Sequence, residues 1–219
     1  MNGLTSWFEY VVDNWDSILE TTWEHAQIVL TVVLLATVFS VTLGIVVQRR
    51  PTWRAMALSV SGIFLTIPSL ALFALFIPLV GIGNAPAMIA LFLYAILPIL
   101  RNTVTGLDGV SPAIVESAKG MGMTSMRQLF VIRLPLAWPV VMAGVRISSL
   151  ITVGIAAIAV LVGGDGLGSW IQGGLTRLGL PNSVESVWVG TIFTVILGLI
   201  LDTVFATIQR FTTSKGQRI

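Results

Sequence analysis

The sequence predicts an all-α, polytopic membrane protein: about five transmembrane helices, an N-terminal amphipathic helix and one helical loop that projects from the bilayer. Three observations carry this expectation. Of 219 residues, 55% are apolar and only 10% are charged, with a mean hydropathy of +0.94. Soluble domains carry roughly 25% charge, so this chain could not cover a globule of its own size with polar surface. Apolar runs near the roughly 20 residues a helix needs to cross a bilayer fill most of the length. The basic residues gather in alternate connections between those runs. There are no cysteines, which excludes disulfides, thiolate metal sites and Cys nucleophiles. A net charge of +2 is too small to imply nucleic acid.

Two regions are expected: residues 1–25 as an N-terminal interfacial segment and 26–219 as the transmembrane domain. Within residues 7–24, Trp7, Phe8, Val11, Val12, Trp15, Ile18, Leu19 and Trp23 recur at helical spacing, with Glu9, Asp13, Asp16, Glu20 and Glu24 between them. The acidic residues forbid a span. Either the helix lies at the membrane interface with its tryptophans at headgroup level, or it packs on the protein's own outer surface. No basic stretch precedes a short apolar core, so no cleavable signal peptide is expected.

Five spans follow, at about 26–47, 56–80, 85–105, 137–162 and 187–208. The second is interrupted by Pro68 and Pro78, and the third contains Pro98. Small residues recur every fourth position in three of them: Ala36, Ser40, Gly44; Gly144, Ser148, Thr152, Ala156; Gly190, Thr194, Gly198. Residues four apart share a helix face, and small ones let backbones approach closely in lipid, within the chain or against a second subunit. With five spans, Arg49, Arg50 and Arg54, then Lys119, Arg127 and Arg133, then Arg210, Lys215 and Arg218 all fall on one side; Arg177 is the one basic exception, on the side of Asp165 and Glu185. The positive-inside rule makes that side the cytoplasm, with the N-terminus outside and the C-terminus inside.

The connection at 109–135 is the most informative stretch. Ser111 suits an N-cap and Pro112 a first helical position. A short helix follows with Ile114, Val115, Ala118 and Met121 on one side; Gly122 can supply the left-handed turn that ends it, and Thr124 can cap a second short helix ending near Pro135. Such a knob, with apolar residues that cannot all face water, is built to enter a groove on another protein.

Glu116-Ser117-Ala118, three residues, Gly122, nine residues, then Ile132, one residue and Leu134-Pro135 resembles the EAA loop of the permeases of ATP-binding-cassette (ABC) importers. Ser117 departs from the alanine usual there. The resemblance implies a type I ABC importer transmembrane domain whose coupling helix docks on a separate ATPase, through Ala113, Ile114, Glu116, Ser117, Ala118, Met121, Gly122, Ile132, Leu134 and Pro135. It also implies the partners: two copies of the ATPase, which bind ATP and Mg while this chain binds no cofactor and is no enzyme; a second permease, identical or similar; an extracytoplasmic solute-binding protein; and the lipid bilayer. The stretches 67–72, 81–83, 97–103 and 161–168 are similar to permeases of the glycine betaine, carnitine and choline osmoprotectant systems. Methionine permeases share several of these features.

The Gly-rich run at 163–168 lacks the Lys-Ser/Thr of a phosphate-binding loop and reads as an external or gate-flanking turn. Asp202 is the one carboxylate inside an expected span, either in a structural ion pair or on the transport path. Arg101 and Arg146 are expected to snorkel toward the cytoplasmic ends and to brace the base of the loop. Pro68, Ser69, Tyr94 and Pro98 are candidates for a path or gate, because prolines kink helices. Tyr94, Trp138 and Trp170 could offer aromatic faces to a quaternary ammonium. His25 is solitary, which argues against a metal site. Neither internal repeats nor mid-membrane relays support an ion-coupled secondary transporter, and no Ser-His-Asp set or carboxylate pair supports an enzyme.

Overall fold

Helices that must satisfy all backbone groups internally are what a chain this apolar can form in a bilayer. The computed structural model describes residues 3–213, and among them there is no strand. Lys215 and Arg218, the last of the expected basic residues, lie outside the described residues. The helices are α1 (Gly3–Asp13), α2 (Trp15–Val47), α3 (Pro51–Thr66), α4 (Ser69–Val80), α5 (Asn84–Asp108), α6 (Pro112–Gly120), α7 (Ser125–Gln128), α8 (Leu134–Ala156), α9 (Gly168–Thr176) and α10 (Ser183–Thr212). Helices α2, α5 and α10 and the rod that ends in α8 are each long and apolar enough to cross a membrane; α3 and α4 together make a fifth crossing if they form one broken span.

The architecture differs from the expectation at three places, each for a physical reason. The amphipathic stretch is not a separate element: Asn14 divides it, and its second half runs straight into the first span as α2. One face, with Trp7, Val11 and Ile18, packs against Val189 and Phe193 of α10. Phe8, Val12, Trp15, Leu19 and Trp23 stay exposed beside it. The second span is two helices meeting at 100°. Ile67 is extended (φ −78°, ψ 131°), as a residue before proline prefers, and Pro68 cannot donate into the preceding turn; Pro78, by contrast, sits inside α4. Finally, the helix begun at Ser125 does not stop at Pro135. A π-turn at Leu129–Arg133 joins α7 to α8 in one 32-residue rod. The wider turn relieves the clash between a proline ring and the carbonyl four residues back.

Helix α5 is the centre of the bundle and packs on α8, α2, α3 and α4. The small-residue stripes serve this intra-chain packing: Ala36, Ser40 and Gly44 of α2 and Gly144, Ser148, Thr152 and Ala156 of α8 are buried. Ser148 Oγ donates to the Ala95 carbonyl at 3.2 Å. On α10, Gly190 and Gly198 are buried and Thr194 is half-buried.

Hydrogen bonds close both ends. At one end Arg54 pairs with Asp108 at 2.5 Å, Arg133 Nη2 donates to Gln48 Oε1 at 2.7 Å and to the Leu107 carbonyl at 3.3 Å, and Trp138 Nε1 donates to Thr212 Oγ1 at 2.7 Å. At the other, Trp170 Nε1 donates to Thr21 Oγ1 at 2.9 Å, and Gly83 N donates to the Val162 carbonyl at 3.0 Å. The basic groups around Arg49, Arg133 and Arg210 share the first end; Glu185 and Asp165 lie at the second.

A methyl group at Gly144 would stand 2.7 Å from Asn102 Cβ and 2.8 Å from the Pro98 carbonyl oxygen, whereas at Gly154 it would meet nothing within 4 Å. Overpacking of this kind costs about 1–3 kcal/mol. Gly144→Ala should therefore lower the thermal unfolding midpoint of the detergent-purified protein, and Gly154→Ala should not; equal midpoints would contradict the packing described.

Candidate functional site

Three polar constructions stand out from the apolar bundle. The first is the projecting loop between α5 and the rod containing α8. Pro112 starts α6 as the sequence suggests, but Ser111 makes no side-chain capping bond; its carbonyl accepts from Ile114 N and Val115 N instead. The helix ends in a Schellman turn: Met123 N donates to the Ala118 carbonyl at 3.1 Å and Gly122 N to the Lys119 carbonyl at 3.0 Å. Gly122 has φ +79°, where a Cβ would be strained. Thr124 Oγ1 accepts from Arg127 N, and Gln128 Nε2, nearly buried, donates to the Met123 carbonyl at 2.8 Å.

Within α6 only Ala118 is buried. Ala113, Glu116 and Ser117 are exposed, and the Ser117 hydroxyl is spent on the Ala113 carbonyl at 2.8 Å. Ile114, Met121 and Met126 stand open at 44%, 74% and 65%, so the knob presents uncovered apolar surface. Ile132, Leu134 and Pro135 are not on the knob; they belong to the π-turn and the start of α8 at its base. That base is held by Arg54, Asp108, Arg133 and Gln48, and neither Arg101 nor Arg146 contributes. The sequence reading missed this clamp, whose only visible signal was polar residues closing both sides of an otherwise apolar run.

The second construction is the break between α3 and α4. The Tyr94 hydroxyl, on α5, donates to the Ile67 carbonyl at 2.8 Å. This carbonyl sits where the helix stops, and a backbone group freed at membrane depth needs such a partner. The structure thus brings Tyr94 together with the turn carrying Pro68 and Ser69. Pro98 lies one turn further along α5, its carbonyl accepting from Asn102 Nδ2 at 2.8 Å. Trp138 and Trp170 do not join Tyr94 in an aromatic cage, since they are tied to Thr212 and Thr21 at opposite ends of the bundle.

The third lies at the end away from the knob. Asn84, first residue of α5, and Asp165, in the Gly-rich turn after α8, are joined twice: Asn84 Nδ2 donates to Asp165 Oδ2 at 2.7 Å, and Asp165 N donates to Asn84 Oδ1 at 2.8 Å. Beneath this clasp His25 is buried and its Nε2 donates to the Val153 carbonyl at 3.1 Å.

Asp202 belongs to none of the three. Arg146 Nε and Nη2 donate to its two carboxylate oxygens at 2.8 and 2.9 Å. Arg146 therefore does not snorkel; it spans the α8–α10 seam. A charge inside a bilayer is unfavourable, and a bidentate pair offsets part of that cost.

The family described as binding-protein-dependent transport system inner membrane component matches residues 36–214. The choline transport system permease protein OpuBB of Bacillus subtilis (strain 168) is 41% identical over 210 residues, covering 96% of this chain and 95% of the relative. The glycine betaine/carnitine/choline transport system permease protein OpuCB of the same organism is 41% identical over 207 residues, 94% of each. The osmoprotectant import permease protein OsmW of Salmonella typhimurium is 35% identical over 214 residues, 95% of this chain and 98% of the relative. A chain from crystals of the inward-facing MetNI methionine ABC transporter superposes with a TM-score of 0.77 at 24% identity, covering 90% of this chain and 96% of that one. It shows the same fold.

Tyr94→Phe removes the partner of the Ile67 carbonyl while keeping the ring. An unpaired buried polar group costs about 1–3 kcal/mol, so the variant should unfold at a lower temperature in detergent. A midpoint equal to that of the parent protein would mean the hydroxyl does not secure the break.

Proposed function

We propose, from the premise that this chain belongs to the family of binding-protein-dependent transport-system inner-membrane components, that it is the permease subunit of an ATP-driven importer of quaternary ammonium osmoprotectants. The family and the fold make it a multi-pass membrane permease of an ABC transporter. The substrate class follows the relatives at 41% identity, which are named for choline, glycine betaine and carnitine. The likeness to the methionine transporter stands at 24% identity and reaches only the fold.

The observation that carries the mechanism is the uncovered apolar knob of α6 on its polar base. Ile114 and Met121 are exposed on a short, tightly capped helix at the end where the basic residues gather. By the positive-inside rule that end is cytoplasmic, which puts the N-terminus outside. A separate ATPase, two copies per complex, grips the knob and binds ATP and Mg. Five crossings make half a path, so a second permease, identical or similar, completes it. A solute-binding protein delivers cargo at the end closed by Asn84 and Asp165. Coupling requires that the ATPase hold the knob differently in its two states, since only differential affinity moves an equilibrium. The path or gate residues of this reading are Tyr94, Pro68, Ser69 and Pro98 at the broken span.

Gly122→Val forces a β-branched residue into a left-handed turn. In the assembled complex it should abolish ATP-driven uptake of glycine betaine while membrane insertion persists. In this cysteine-free chain, Met121→Cys should react only with thiol reagents that reach the cytoplasm. Undiminished uptake by the glycine variant, or labelling of the cysteine from outside intact cells, would remove the knob from the mechanism.

A further inference from the structure

The pair on α8 and α10 is open to its surroundings. Arg146 lies near the middle of α8 and Asp202 in the spanning part of α10, yet their side chains are 35% and 28% exposed. A concavity of about 270 Å³ opens beside them, lined by Ala143, Arg146, Ile147, Leu150 and Asp202. Charged groups open to hydrocarbon are unfavourable, and in membrane proteins they face the bundle interior or a water-filled cavity. This part of the seam therefore does not face lipid.

Its walls are unequal: two opposite charges on one side, aliphatic groups on the rest. A quaternary ammonium has no N–H to donate. It is held by a nearby carboxylate and by apolar contact with its methyl groups, and a site rich in hydrogen-bond acceptors offers it little more. A carboxylate on the same solute needs donors. The bonds to Asp202 use Nε and Nη2 of Arg146, which leaves the remaining guanidinium N–H groups for a second acceptor. Because the pair is neutral as a unit, a solute of no net charge suits it better than a free cation.

We propose that this concavity is a transit site for small zwitterions, with Asp202 beside the quaternary ammonium and Arg146 on the carboxylate. The proposal rests on the substrate class inferred above and adds to it the residues that read the solute and a preference for zwitterions over a carboxylate-free cation.

The test is uptake of glycine betaine and of choline by the complete complex. Arg146→Gln should lower the glycine betaine to choline ratio at least tenfold, and Asp202→Asn should slow both. The reversed pair, Arg146→Asp with Asp202→Arg, keeps the ion pair but misplaces its charges, so the ratio should stay low. A purely structural pair would slow both solutes with an unchanged ratio and would recover fully on reversal; either result overturns the site. Ile147→Cys supplies a direct readout. A trimethylammonium-bearing thiosulfonate should modify it, and glycine betaine should slow that reaction. Reaction with a lipid-soluble maleimide alone would place the seam in lipid and overturn the proposal. Should the unmodified complex carry neither solute, the substrate class itself fails, an outcome distinct from loss of the ratio in a complex that transports.

Discussion

The structure depends first on the close approach of α5 and α8. Gly144 faces Asn102 and the Pro98 carbonyl, and Gly106 faces the Ala137 carbonyl, so the two backbones nearly touch over several turns. Lipid tails are as apolar as leucine, and burial gains nothing between helices in a bilayer; dispersion contacts and interhelical hydrogen bonds must hold them. Both grow as the backbones near each other. The same two elements bracket the knob, because α5 leads into it and the rod containing α8 leads out. The knob is thus mounted on a closely packed seam of the bundle, and Arg54–Asp108 and Arg133–Gln48 tie that mounting to α3 and α2.

A second constraint acts where helices stop. Inside a bilayer a freed carbonyl has no water to turn to. At the α3–α4 break the Tyr94 hydroxyl takes that role. At the far end Asn84 and Asp165 bond each other's polar groups, and Gly83 N is answered by the Val162 carbonyl. Each repair reaches from α5, or from the turn just before it, to another part of the chain. The α3–α4 break and the turn after α8 are thus both served from α5 or the turn just before it.

Much of this was legible in the sequence, and the reasons differ by element. Apolar runs of bilayer length announce spans whatever their neighbours do, so α5 and α10 lie where hydropathy puts them, and α2 covers its expected span although it starts already at Trp15. The turn at Gly122 was legible because helix stop signals are local. The 100° bend at Pro68 was not, since a proline inside an apolar run marks a kink but says nothing of its size; the angle depends on what Tyr94 and the α5 face allow. Pro135 misled in the other direction. A proline reads as a stop, yet the π-turn before it lets the rod continue. The Arg146–Asp202 pair joins residues far apart in sequence on two helices, and helical periodicity within either one cannot say that they meet.

On the reading proposed above, these features form one lever. The knob sits at one end of the α5–α8 pair, and the Asn84–Asp165 clasp closes the other end of the same pair. Helices are stiff along their axes, and α5 runs from the clasp to the knob. Tyr94 links α5 to the broken span, and Arg146 links α8 to α10. The clasp is two hydrogen bonds at an exposed site, each worth about 0.5–3 kcal/mol net depending on charge. Driving a two-state equilibrium from 1:99 to 99:1 takes about 5.5 kcal/mol of differential binding. On that reading, opening the clasp is one part of the work that a partner's differential grip on α6 must supply.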